Sequence, residues 1–175
     1  MDELKSEAGI DYRPLRDLLQ AKQWEKADKE TKDILSKYNS QSGYMYSFKD
    51  FPCTDLKTID KLWLDFSNKQ FGFSIQQQIW EEIKQNEQNE WQATKAFVKK
   101  VGWNDNINED PFALIYSKLM LNIQGSRGFI VGSLPALIPF QMVGYSPIGE
   151  WMDLGFIAIG RVYLPSLVER LTECS

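Results

Sequence analysis

Residues 51–80 read FPCTDLKTIDKLWLDFSNKQFGFSIQQQIW, and this stretch decides the fold. Leu56, Ile59, Leu62, Trp63 and Phe66 recur at spacings of three and four, the rhythm of a helix with one buried face. The spacing predicts a helix over 55–66. Phe71-Gly72-Phe73 then marks a turn between aromatic anchors. Ser74 followed by Gln77 reads as a capping box, which predicts a helix start at Ser74. Ile75, Ile79 and Ile83 share one face of that helix, expected over 74–84.

The same rhythm continues outward. Leu15, Leu18 and Leu19 predict a short helix over 14–20. Trp24, Ala27, Thr31, Ile34, Leu35 and Tyr38 predict another over 24–38. Helices are expected over 91–101, with Phe97 and Val101 inward, and over 164–174, with Leu164, Leu167, Val168 and Leu171 inward. Asp110-Pro111 reads as an N-cap and first-turn proline for a helix reaching about residue 121. No strand-like alternation is sustained. The expectation is an all-α fold, a compact bundle of short helices. Residues 1–14 are expected to be a polar extension and 15–175 one domain.

Composition excludes several function classes. Asp and Glu number 24 against 20 Lys and Arg, a net charge of -4, which argues against a nucleic-acid partner held through phosphates. The chain has no histidine, so neither a histidine-based triad nor a histidine-ligated metal or haem is available. Cys53 and Cys174 stand far apart and form no Cys-x-x-Cys; they read as two small buried thiols in a reducing compartment, with a disulfide or a covalent tetrapyrrole link as alternatives that no motif supports. The opening MDELKSEAGI has the character of neither a signal peptide nor an Arg-rich transit peptide. Glu81-Glu82 reads as a solvated helix face. Asp105, Glu109 and Asp110 lack the glycine and terminal glutamate of a calcium loop. No nucleophile or phosphate-loop motif is present, so no enzyme activity is expected.

Between residues 122 and 160 the helical rhythm stops. Six glycines and three prolines punctuate it, yet it is apolar through Phe129, Ile130, Val131, Leu134, Leu137 and Ile138. Residues 129–149 carry no charge and are long enough to cross a bilayer. The prolines and glycines argue against a spanning helix, since freed backbone groups in lipid cost several kcal/mol each. Such low polarity also argues against disorder. The reading is a partly exposed apolar loop that holds a flat ligand or touches a membrane surface, with a loop packed entirely as ordinary core as the alternative. The loop over 39–51 is similar in character, with Tyr44, Met45, Tyr46 and Phe48.

Taken in order, these residues resemble the genomes-uncoupled-four family, porphyrin-binding activators of magnesium chelatase. The matching pattern is Asp55-Leu56, Ile59-Asp60, Leu62-Trp63, Ser67, Phe71-Gly72-Phe73-Ser74, Gln76 and Ile79-Trp80. Upstream, Trp24, Ala27-Asp28 and Thr31 fit. Downstream, Val101-Gly102-Trp103 fits, and Gly132, Leu134 and Pro135 fit a Gly-His-Leu-Pro motif in which Ser133 replaces the histidine.

The resemblance implies two long apolar loops forming a cupped tetrapyrrole site. One loop carries Tyr44, Met45, Tyr46 and Phe48. The other runs from Gly102 to Pro135 and carries Phe129, Ile130, Val131, Leu134 and Pro135, with Leu137 and Ile138 just beyond. Arg127 and Arg161 are the cations expected to meet the propionates. The ligand expected is protoporphyrin or magnesium protoporphyrin, with no covalent cofactor. The partner expected is the large subunit of magnesium chelatase, and the chain is expected to be a monomer. The implied location is the cyanobacterial cytoplasm or the chloroplast stroma, and the implied setting is chlorophyll biosynthesis and photosynthesis. A second reading keeps the scaffold but makes it a sensor or interaction module that binds a bilin or other flat apolar ligand and signals through a protein partner. Ser133 and the longer segments on either side of it bear on ligand identity and chelatase activation, not on the scaffold.

Overall fold

A computed structural model describes residues 4–39, 47–103, 130–136 and 163–175. Six helices occur among them: α1 Arg13–Gln20, α2 Trp24–Asn39, α3 Cys53–Phe66, α4 Phe73–Asn86, α5 Glu90–Lys100 and α6 Leu164–Glu173. No strand occurs among the described residues. The helix expected near 110–121 lies outside them. No helix among them is long and apolar enough to cross a membrane.

The apolar stripes read from the sequence meet in one core. Leu15, Leu19, Trp24, Ala27, Leu56, Ile59, Trp63, Phe71, Phe73, Phe97 and Leu167 are all buried. Trp24 packs on Trp63 with ring centroids 6.2 Å apart, and Phe71 meets both edge-on at 5.4 and 6.1 Å. The indole nitrogen of Trp63 donates to Thr31 Oγ1 at 3.1 Å, so the buried N–H is satisfied. Pro14 sits in the first turn of α1, where no intrahelical N–H is lost.

The start of α4 corrects the capping-box reading. The helix begins at Phe73 and its N-cap is Gly72, with no side-chain cap of its own. Asp60 of α3 provides the cap instead, accepting from Ser74 N at 2.9 Å. Gly72 has φ 138, and a Cβ there would lie 2.8 Å from the Asp60 carboxylate, so only glycine lets the two helices meet this way. Gln77, the glutamine of that box, donates from Nε2 to Glu81 Oε1 at 2.9 Å instead of turning back to the helix start. Burial of Asp60 raises its pKa, while hydrogen bonds from Ser74 and Phe73 oppose the shift.

Two further buried carboxylates anchor backbone. Asp55 is fully buried and accepts from Ser6 Oγ, Glu7 N at 2.8 Å, Ala8 N at 3.1 Å and Tyr12 Oη at 2.9 Å. Residues 4–12 are thereby tied to the first turn of α3, and Leu4, Ile10 and Tyr12 contribute to the core. Burial, then the Asp55 carboxylate, pushes the Tyr12 phenol well above its ordinary value. Asp28 of α2 accepts from Ala136 N at 2.6 Å, across 108 residues of sequence.

The cysteines correct a second expectation. Cys53 and Cys174 form a disulfide, with Cα atoms 5.3 Å apart and 121 residues between them in sequence. No free thiol remains. The last turn of α6 ends beside the first residue of α3, within the range a disulfide spans. Sequence spacing alone could not show that approach.

Candidate functional site

Residues 130–136 form the element that organises the site, and side chains and backbone from several helices and turns hold it. Gly132 N donates to Gln70 O at 2.8 Å, and Leu134 O accepts from Gly72 N at 3.0 Å. The Gly-Ser-Leu-Pro element is thus paired with the Phe-Gly-Phe turn. Gln76, fully buried in α4, donates from Nε2 to Gly132 O at 3.1 Å and to Pro135 O at 2.9 Å. Its Oε1 accepts from Tyr163 Oη at 2.6 Å. Trp103 Nε1 donates to Ser133 O at 2.8 Å, and Asp28 holds Ala136 N. Gly132 has φ 77 and lies against Ile79, Val101 and Ile75, leaving no room for a side chain. Ser133 Oγ is buried and has no hydrogen-bond partner among the described residues.

Beneath this element lies an aromatic floor. Tyr163 meets Phe48 at 5.7 Å and Trp103 at 6.1 Å between centroids. Phe48 also meets Phe73 at 5.3 Å, Trp103 meets Phe97 at 5.5 Å, and Phe97 meets Trp80 at 5.9 Å. The contacts are edge-to-face, the favoured arrangement for ring pairs. Burial, and then the charge of Asp28, push the Tyr163 phenol well above its ordinary value.

Phe48, Trp103, Ala136 and Tyr163 stand within two residues of the ends of the described segments. Phe48 and Trp103 both meet Tyr163, so three of these residues share one aromatic patch.

The candidate residues divide accordingly. Tyr44, Met45, Tyr46, Arg127, Phe129, Leu137, Ile138 and Arg161 lie outside the described residues. Phe48, Leu134 and Pro135 are buried: Phe48 is part of the floor, and Leu134 is fully enclosed. They support the patch from below. Val131 is 50% exposed, the most exposed large apolar side chain among the described residues. Ile130 is partly buried over Gly102.

Gln76, Tyr163 and Asp28 carry the site's geometry, and the sequence reading gave them no role. One signal was available. Gln76 stands three residues after Phe73 and four before Trp80, an amide on an apolar helix face. A buried amide in that position needs partners from elsewhere in the chain.

A family model described as GUN4-like matches residues 5–136. A Ycf53-like protein of Synechocystis sp. is 37% identical over 109 residues, covering 57% of this chain and 42% of that protein. A chloroplastic tetrapyrrole-binding protein of Arabidopsis thaliana is 34% identical over 83 residues, covering 44% of this chain and 29% of that one. This chain thus spans less than half the length of these two relatives. The ligand-free structure of Arabidopsis thaliana GUN4 aligns over 95% of this chain and 98% of its own, with a TM-score of 0.51 and 21% identity, a likeness of fold. With the matched region covering most of the sequence, from the Asp55 anchor through the Gly-Ser-Leu-Pro element, the chain belongs to the GUN4-like family.

Proposed function

We propose that this chain binds a tetrapyrrole, protoporphyrin or magnesium protoporphyrin, over the aromatic floor, and that it stimulates magnesium chelatase through the chelatase large subunit. The observation that carries the reading is the convergence of Phe48, Trp103, Ala136 and Tyr163 in a chain of the GUN4-like family. A flat, mostly apolar macrocycle needs a broad apolar face held rigidly from below. Every ring of the floor is packed edge-on to another, so the base does not have to be ordered when ligand arrives.

Burying roughly 300 Å² of macrocycle at about 25 cal/mol per Å² yields about 7 kcal/mol before ordering costs. Micromolar or tighter binding then needs polar help. Arg127 is the only cation between Lys118 and Arg161, and its planar fork suits a propionate. With no histidine in the chain, no imidazole would be offered to a magnesium porphyrin, and its hard cation would favour oxygen donors. The role is that of a carrier and regulator rather than an enzyme. The buried carboxylates Asp28, Asp55 and Asp60 each hold backbone N–H groups.

Two measurements test the proposal. Arg127→Ala should weaken binding of a dicarboxylate porphyrin about ten- to a hundredfold, while a dimethyl-ester porphyrin binds variant and wild type alike. Equal affinity of both proteins for the free acid would place the propionates in solvent. Added to a magnesium chelatase assay, the chain should raise the rate of magnesium porphyrin formation. An unchanged rate at saturating porphyrin refutes the stimulation.

A further inference from the structure

We propose that the Cys53–Cys174 disulfide is a redox latch on segment 48–53, the stem that carries Phe48, opened by a vicinal dithiol reductant. The proposal rests on the reading of Phe48 as part of the floor of the tetrapyrrole site.

One face of α6 holds segment 48–53. Tyr163, Ser166, Arg170 and Cys174 are spaced three, four and four residues apart, which puts them in a row on one side of the helix and its flanks. Each grips the segment 48–53. Tyr163 meets the Phe48 ring at 5.7 Å. Ser166 Oγ accepts from Phe48 N at 3.2 Å. Arg170 Nε donates to Phe51 O at 2.7 Å. Cys174 is bonded to Cys53. The contacts advance in step along both segments, and the last of them is covalent.

On its other side the stem is held to α2, where Tyr38 Oη donates to Asp50 O at 2.7 Å and the Tyr38 ring meets Phe51 at 5.1 Å. Residues 48–51 therefore lie between two helices, and only the α6 side is fastened by a bond that chemistry can open.

A helix of ten residues is too short to persist without tertiary contacts. Cut at its covalent end, α6 frays from Cys174 towards Arg170, and the hold on Phe51 O weakens first. Cys53 is only partly buried, so the bond lies near the surface end of α3. In a reducing compartment, which the proposed function implies, disulfides are characteristically transient or redox-sensing.

The step is a two-electron exchange. A thiolate of the reductant attacks one sulfur of the bridge, forming a mixed disulfide, and the other cysteine leaves as a thiolate. The second thiol of the reductant then displaces the first cysteine. The reductant ends as a disulfide, and its two protons end on Cys53 and Cys174.

The test is amide hydrogen exchange on the full chain, oxidised and after dithiothreitol, with Cys174→Ser as a bridge-free control, and deuteroporphyrin affinity measured on the same samples. Reduction should speed exchange at Phe48 and Phe51 about tenfold and leave α4 and α5 unchanged. Cys174→Ser should behave like the reduced protein. Porphyrin affinity should fall about threefold or more. Equal exchange in both redox states overturns the latch. So does acceleration spread evenly over all helices, which marks a global staple, and so does a bridge that resists dithiothreitol until the protein unfolds. If neither redox form binds porphyrin while the local exchange difference is present, the latch stands and the ligand assignment falls.

Discussion

Replacing Gln76 by methionine removes the link between α4, the Gly-Ser-Leu-Pro element and Tyr163 while nearly preserving side-chain volume. Gln76 makes three buried hydrogen bonds, to Gly132 O, Pro135 O and Tyr163 Oη, at 3.1, 2.9 and 2.6 Å. Leaving a buried polar group unpaired costs about 1–3 kcal/mol. The two carbonyls fall at the low end because each has a second lone pair, so the expected loss is about 3–6 kcal/mol. That is a large part of the roughly 5–15 kcal/mol that holds a domain together. Urea unfolding followed by the fluorescence of the six tryptophans reads it directly. Tyr163→Phe strands only Gln76 Oε1 and should cost about 1–3 kcal/mol. In the Gln76→Met background the same change should cost well under about 1 kcal/mol, because its partner is already gone. A loss below about 1 kcal/mol for Gln76→Met alone would refute the role of the amide as the central tie of the site.

Other outcomes follow from single residues. Phe73 is fully buried and packs on Phe48, so Phe73→Ala should cost about 3–5 kcal/mol; an equally stable variant that lost ligand binding would make Phe73 a contact residue instead. Asp60 has a folded-state pKa raised by burial above the ordinary 3.8. The native state therefore holds that proton more tightly than the unfolded chain, and stability falls as pH rises from 3.8 through the raised value. Asp60→Asn keeps an acceptor for Ser74 N and should remove this fall, visible in urea midpoints across a pH series. An unchanged slope in the variant would mean that Asp60 contributes no such linkage.

The helices were legible because burial on one face imposes a period on the sequence. Trp24, Ala27, Thr31, Ile34, Leu35 and Tyr38 predicted 24–38, and α2 spans Trp24–Asn39. What was not legible depends on contacts between distant residues. Ser74 with Gln77 has the form of a capping box, but Asp60 of another helix caps α4, and no local pattern shows that. Cys53 and Cys174 read as separate thiols because nothing in sequence reveals that α6 ends beside α3. Phe48 and Leu134 read as ligand contacts from the apolarity of their segments. Apolarity is also the mark of a core, and both are buried. The motif residues Asp28, Asp55 and Gln76 were visible as a pattern, but their work as backbone anchors appears only once their partners are in place.

The proposed tetrapyrrole lies over the face that Phe48, Trp103 and Tyr163 support. Titration of the chain with deuteroporphyrin, followed by tryptophan quenching, tests it most directly when wild type is compared with Val131→Asp. Val131 is half exposed at that face, so a charge there leaves the core intact. The account predicts one saturable site of about micromolar affinity or better in the wild type. It predicts clear weakening in Val131→Asp, with the urea midpoint unchanged. Quenching that does not saturate, or equal binding by the two proteins, would contradict it.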